Sequence, residues 1–293
     1  VAAGLALMPV AQRLPAASRQ LERAIPSSGE RLPVIGLGTW QSFDVGSDPT
    51  ERGAAKEVLR LFVAAGGRAI DSSPMYGTSE AAVGELAHDL GAQGSLFYAT
   101  KVWTSGRDAG IAQMETSMRR MRVRRMDLMQ VHNLVDVQTH LATLREWKRV
   151  DRIRYLGATH YHSGAYREVE SLLSRERLDF VQINYSLAER EAEQRLLRVA
   201  ADNGTAVIIN RPFAGGVMFE RTRDKPLPDW AREFGVESWA QFFLKWILGN
   251  NAVTCAIPAT RNPKYLLDNM AAGIGRLPDQ AMRKRMSEYF DRL

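Results

Sequence analysis

Four side chains in the first half of the chain have types and positions that can move a proton together. Asp71 ends a short apolar stretch, and Tyr76 follows it within "AIDSSPMYGTSEAAVG" (Ala69 to Gly84), cramped between Pro74 and Gly77. Lys101 closes "YATK" and His132 closes "MDLMQVH". A free phenol titrates near ~10 and is a poor proton donor or acceptor at neutral pH. A neighbouring ammonium favours its phenolate, and each tenfold change in that balance corresponds to ~1.4 kcal/mol. Lys101 can supply that charge. A lysine withdrawn from water tends to lose its proton, so it needs a carboxylate, and Asp71 can be that carboxylate. His132 can hydrogen-bond a substrate oxygen and orient it toward Tyr76. Taken singly, each has a duller role: Asp71 as a turn cap, Tyr76 as a loop aromatic, Lys101 as a surface charge, His132 as a satisfied core histidine. Their place at the ends of consecutive strands favours the joint reading.

Those strands can be read from the apolar runs. Continuous runs of about five residues fall at 34–38, 69–71, 96–100, 127–132, 155–159, 180–184, 206–210 and 254–258. They do not alternate, as expected for parallel strands covered on both faces. Amphipathic helical patterns lie between them, at 50–65, 111–121, 138–150, 165–174, 189–202 and 239–248; Ala54, Val58, Leu61, Phe62 and Ala65 share one face of the first. Strand–helix alternation with no domain break predicts an α/β fold, a single-domain (β/α)8 TIM barrel spanning residues 33–293. An open doubly wound sheet is the alternative, but no G-x-G-x-x-G follows the first strand. The long strand-free stretch Ala214 to Glu237 is expected to lie over the barrel mouth as a lid or binding segment. In such barrels the site is built at the carboxyl ends of the strands, which is where Asp71, Lys101 and His132 fall.

Composition narrows the function classes. The chain has 293 residues, 45% hydrophobic and 25% charged, enough for one barrel. No apolar run reaches the ~18 residues of a membrane span. The net charge of +6 is moderately basic, and the densest run, "MRRMRVRRM" at 118–126, reads as a solvated helix end without any nucleic-acid motif. One cysteine, Cys255, excludes an internal disulfide and a cysteine metal cluster, and reads as a small core residue. No metal site is expected from the five histidines, although His160 and His162 can share one side of a strand. Residues 1–25 open as an apolar, alanine-rich leader, similar to the back half of an export signal, and are set aside from the fold. The matching expectation is a periplasmic or exported protein, with a cytoplasmic one as the alternative.

The stretches "GLGTW" (Gly36 to Trp40), "AIDSSPMYGTSEAAVG", "YATK", "MDLMQVHN", "VQINYSL" (Val181 to Leu187) and "IPATRNPKYLLDN" (Ile257 to Asn269) together resemble the aldo-keto reductase superfamily, in order and over nearly the whole folded chain. The resemblance implies a (β/α)8 barrel that binds NADPH, with NADH the lesser option, and reduces a carbonyl to an alcohol. The family's catalytic aspartate, tyrosine, lysine and histidine fall on Asp71, Tyr76, Lys101 and His132 without substitution. It implies cofactor contacts at Gly38, Thr39, Trp40, Asp71, Gln182, Asp268 and Asn269. The family's Ser-Asn after the fifth strand is here Thr159-His160, and its stacking aromatic after the seventh is replaced by Asn210-Arg211, followed by Pro212 and Phe213. Ala259 and Tyr265 stand where relatives often carry a lysine and an arginine, leaving Thr260, Arg261 and Lys264 for a 2′-phosphate.

Trp40, Trp103 and His132 are the expected substrate contacts, with Phe43 and Phe213 as further candidates for an aromatic wall facing a small-molecule carbonyl. Two other functions fit the same barrel. One is a non-catalytic nicotinamide-binding sensor or auxiliary subunit. The other is a Schiff-base aldolase using Lys101, which a paired Asp71 disfavours.

Overall fold

The structure is a computed structural model that describes residues 19–293. Residues 1–18 of the leader, and with them most of the export-signal reading, lie outside the described residues. The rest of that segment is part of the fold. Strand β1 (Glu22–Ala24) pairs antiparallel with β2 (Arg31–Pro33) in a hairpin turned by Pro26 to Gly29. The folded body therefore begins ahead of Pro33, and residues 19–25 belong to it.

Eight parallel strands follow: β3 (Leu37–Gly38), β4 (Ala69–Asp71), β5 (Phe97–Val102), β6 (Met126–His132), β7 (Ile153–Thr159), β8 (Phe180–Asn184), β9 (Ala206–Asn210) and β10 (Val253–Ala256). Each pairs with the next in sequence order from β3 to β10. Parallel bridges Ile35–Ala256 and Gly38–Ala259 close the sheet on itself, with Gly38 N–H donating to the Pro258 carbonyl at 3.0 Å. The predicted runs coincide with these strands. The largest shift is in β3, which is confined to Leu37–Gly38 where the run begins at 34, and β5 runs on through Lys101 to Val102 instead of stopping at Thr100.

Helices cover the barrel: α1 (Pro49–Ala64), α2 (Ser79–Asp89), α3 (Arg107–Arg120), α4 (Val137–Arg149), α5 (Tyr166–Arg175), α6 (Leu196–Asp202), α7 (Val217–Arg221), α8 (Trp239–Leu248), α9 (Pro263–Ala271) and α10 (Gln280–Asp291). The start of α1 follows from its sequence. Asp48 caps it by accepting from the Thr50 and Glu51 amides, and Pro49 fills the first turn, where no N–H is needed. The helix expected at 189–202 is only half formed. Its first half is an irregular segment held to α10, where Arg190 forks onto Asp291 and Glu193 meets Arg283. None of these helices is long and apolar enough to cross a membrane.

Side chains two apart on a strand share a face, and the inward rows change character from bottom to top. Phe97, Leu128, Tyr155, Phe180, Ala206 and Cys255 form an apolar cluster at the amino ends, with Ile25 and Leu32 of the hairpin packed beneath. Continuing upward by two or four residues, the same rows reach Lys101, Gln130 and His132, Thr159, Gln182 and Asn210. The lower barrel is dry core, and the polar groups collect at the carboxyl ends. Cys255 lies fully buried in that lower layer, where burial pushes its thiol up to about 12. The hairpin is fixed by Arg23, which donates to the carbonyls of Leu248, Asn250 and Val253, and by Glu30, which meets Arg154 and the Tyr155 hydroxyl.

The 214–237 segment leaves the mouth at the end of β9 but is not a free flap. Phe213 and Phe219 pack together at 4.8 Å between ring centroids, both against Phe243 of α8. Trp230 packs on Phe242 and Tyr289, tying the segment to α8 and α10.

Ile25, with no exposed surface, is with Leu32 one of the hairpin's two fully buried apolar anchors. Ile25→Ala is expected to lower unfolding free energy by about 2–5 kcal/mol, read by urea titration. A change under about 0.5 kcal/mol, the range of ordinary surface substitutions, would mean that the hairpin is not part of the cooperative unit.

Candidate active site

The turn after β4 shows why an acid and a phenol share so cramped a stretch. The Tyr76 amide donates to the Ser73 carbonyl at 3.0 Å, closing a four-residue turn with Pro74 at its second position, where a fixed φ is favourable. Gly77 follows with φ +57, and a Cβ there would come within 2.3 Å of Asp44 Oδ2. Asp44 in turn accepts from the Thr78 amide and hydroxyl at 2.9 and 2.8 Å, so the loop after β3 holds the turn from outside. From the inside, Thr39 Oγ1 lies 2.9 Å from both the Asp71 carbonyl and Ser72 Oγ. The phenol is aimed by a rigid turn.

Lys101 is fully buried, and its ammonium donates to Asp71 Oδ2 at 2.7 Å and to the Ser72 carbonyl at 2.5 Å. Its Nζ lies 4.9 Å from the centre of the Tyr76 ring. Burial by itself would drive this ammonium to lose its proton, but Asp71 and the Tyr76 oxygen together raise its pKa above the ordinary lysine value. The other oxygen of Asp71 accepts from Gln182 Nε2 at 2.9 Å and Gln130 Nε2 at 3.2 Å. The expected downward pull of Lys101 on the phenol is present, but burial outweighs it, so the Tyr76 pKa is raised and the group is held as an acid.

His132 stands edge-on to Tyr76 at 6.3 Å between ring centroids, with Trp103 on another side at 6.2 Å. Burial, then the positive charge of Lys101 and the proximity of His160, push its pKa down to about 3, so the imidazole is neutral. The four groups named from sequence thus come together. Gln130 is a member of the site that the sequence reading misses, although an amide inside an otherwise apolar strand is the signal that could have found it. It sits in register with Lys101 on the neighbouring strand.

The expected cofactor residues divide. Thr159 Oγ1 donates to Gln182 Oε1 at 3.0 Å, so these two brace each other below the mouth. Asn210 Nδ2 donates to the His160 carbonyl at 3.1 Å, while its Oδ1 is buried with no partner among the described residues. His160 stacks on Tyr161 and meets the His162 ring edge-on at 4.4 Å. Arg211 takes a left-handed φ of +47 at the end of β9, beside Gly215. Pro212 is buried, and Phe213 turns into the aromatic cluster on α8 instead of facing the site. Gly38 admits the Ile257 carbonyl, which a Cβ would meet at 2.8 Å.

Beyond β10, Thr260 accepts from the Asn262 amide, and Lys264 is exposed. Arg261 is held by Glu51 and the Gln41 carbonyl, both at 2.6 Å. Asp268 accepts from Ser238 and Gln241 at the start of α8, and Asn269 is buried beside it on α9. Trp40 and Trp103 are among the most exposed aromatics, at 50% and 41%, whereas Phe43 is fully buried and lines no wall. The unpartnered Asn210 Oδ1 has the chemistry to accept from an amide-bearing ring, and the cationic side chains of Arg211, Arg261 and Lys264 have the chemistry to meet phosphate.

The sequence pattern of the aldo/keto reductase family matches residues 34–287. The chain belongs to that family. Among its relatives, the aldo-keto reductase YhdN of Bacillus subtilis is 26% identical over 67% of this chain and 62% of that protein. An NADP-dependent D-sorbitol-6-phosphate dehydrogenase of Malus domestica is 25% identical over 88% of this chain and 90% of its own. In fold, this family member superposes on a Klebsiella pneumoniae aldo-keto reductase in complex with NADPH with a TM-score of 0.75, at 22% identity, covering 94% of this chain and 96% of the other.

Removing one partner of a buried ion pair strands the other charge. Asp71→Asn is expected to cost about 3–5 kcal/mol of stability, and adding Lys101→Met to recover much of it. Thermal melts of both variants measure this. Equal melting of Asp71→Asn and the wild type would show that the pair is not coupled.

Proposed function

We propose that this barrel reduces an aldehyde or ketone to the alcohol with NADPH. The observation that carries the reading is the buried Lys101–Asp71 pair set beside a phenol that burial keeps protonated. Bound NADPH supplies the hydride for the carbonyl carbon. Tyr76 donates its proton to the carbonyl oxygen as negative charge builds there, and Lys101 stabilises the phenolate that remains. The neutral imidazole of His132 donates to the same oxygen and sets its position. Gln130 and Gln182 fix Asp71, which keeps Lys101 charged. Asn210 Oδ1 would accept from the nicotinamide carboxamide. Arg211, Arg261 and Lys264 would meet the phosphates, with Arg261 exchanging its hold on Glu51. The NADP dependence of the Malus domestica relative supports the choice of cofactor.

The exposed Trp40, Met75 and Trp103 suit a carbonyl with apolar or aromatic substituents. A Schiff-base role for Lys101 is disfavoured, because its ammonium is held charged by Asp71 and is no nucleophile. The sensor reading is not favoured either, since the proton-transfer set is complete.

Tryptophan fluorescence titration with NADPH, followed by turnover of an aromatic aldehyde, tests the assignment. Tyr76→Phe is expected to bind NADPH like the wild type and lose about 10²–10⁴-fold in turnover. Tight binding without turnover by the wild type would support the sensor instead.

The pH profile makes a separate demand. With the phenol's pKa above its ordinary ~10, its proton is in place below that value, and the reduction rate should fall only as pH rises past it. His132, at about 3, should add no break between about pH 5 and 8. A break near ~6.5, the ordinary histidine value, that disappears in His132→Gln would overturn the neutral-imidazole mechanism.

A further inference from the structure

Ser73 has no place in the sequence-derived site, yet it is fully buried and its Oγ lies 3.2 Å from His132 Nδ1. Either atom can be the donor, and the surroundings decide which. If Nδ1 carried the hydrogen, the serine hydroxyl would need a different acceptor for its own. Its only side-chain hydrogen bond among the described residues is the one to His132. A buried hydroxyl hydrogen without an acceptor is costly, whereas unused oxygen lone pairs are much less so. The satisfied arrangement has Ser73 donating and Nδ1 accepting. A neutral imidazole then carries its one hydrogen on Nε2. Among the described residues Nε2 has no hydrogen-bond partner, and it is not one of the buried unpartnered atoms, so it reaches open space.

We propose that Ser73 is a positioning residue that fixes His132 as the Nε2–H tautomer and holds its ring facing the barrel mouth. Ser73 suits this because it opens the same turn that Tyr76 closes. Pro74 restricts Ser73 to extended backbone, and the Ser73 carbonyl accepts from the Tyr76 amide. The proton donor and the group that orients the second donor are three residues apart on one closed turn, so their separation is fixed by backbone and not by two independent loops. The neutrality of His132 agrees with this, since a protonated imidazole would make Nδ1 a donor and break the arrangement. The catalytic consequence rests on the reductase reading; the tautomer does not.

The test is nitrogen-15 NMR of the imidazole in the full chain, paired with kinetics. In the wild type, Nε2 is expected to be protonated and Nδ1 to be a hydrogen-bonded acceptor. Ser73→Ala should shift the Nδ1 resonance and mix the tautomers, with a fall of about tenfold in turnover and unchanged NADPH binding. Ser73→Thr, which keeps the hydroxyl, should restore the wild-type nitrogen pattern. A wild-type proton on Nδ1, or an alanine variant with unaltered nitrogen shifts, would overturn the proposal. The expected shifts in a protein that turns over no carbonyl would leave the tautomer assignment standing and remove the reductase reading.

Discussion

The rest of the site depends on keeping one ammonium charged where water cannot reach it. Lys101 and Asp71 are both withdrawn from solvent, and burying two such ions costs several kcal/mol each unless their remaining hydrogen-bonding capacity is met. The barrel meets it from several elements at once. The Ser72 carbonyl takes a second lysine hydrogen, and Gln130 and Gln182 cover the other aspartate oxygen. These partners come from β6, β8 and the turn after β4, so the pair is satisfied only when the sheet has curled into its final register. Charge at the mouth and closure of the barrel are thus one problem with one solution.

That arrangement explains what the sequence could and could not show. The strands were legible because parallel strands covered on both faces are continuous apolar runs, and such runs have few other uses. Asp71, Tyr76, Lys101 and His132 were legible because ionisable groups at the tips of such runs are rare. Gln130 and Ser73 were not, since their roles depend on which oxygen or nitrogen of a neighbour lacks a partner, and spacing along a chain carries no such information. The hairpin of β1 and β2 was hidden by a different cause. Its strands are three residues each, too short for a periodic signal, and they follow directly on the alanine-rich leader. The turn residues Pro26 to Gly29 were the only cue. The half-formed helix at 189–202 was overridden by ion pairs to α10, which no local pattern reveals.

The polar groups beyond β10 differ in character from those gathered around Lys101. Around Lys101 the charged atoms are all engaged, the ammonium by Asp71 and the Ser72 carbonyl and the carboxylate by Lys101, Gln130 and Gln182. Beyond β10, Arg261 and Asp268 hold other parts of the protein, to Glu51 and the start of α8. Arg261 bridges the loop after β10 to α1, so any anion that drew it away would loosen that contact in exchange. The groups at the mouth are held by one another, while those beyond β10 are shared with the scaffold.

The hairpin fixes more than stability. It seals the amino ends of the strands, with Arg23 bound to carbonyls around the start of β10 and Glu30 to Arg154. The chain therefore enters the fold at the pole opposite the mouth. A surface or a dye attached at the hairpin itself would hold the barrel by its sealed end and leave the mouth facing away from it.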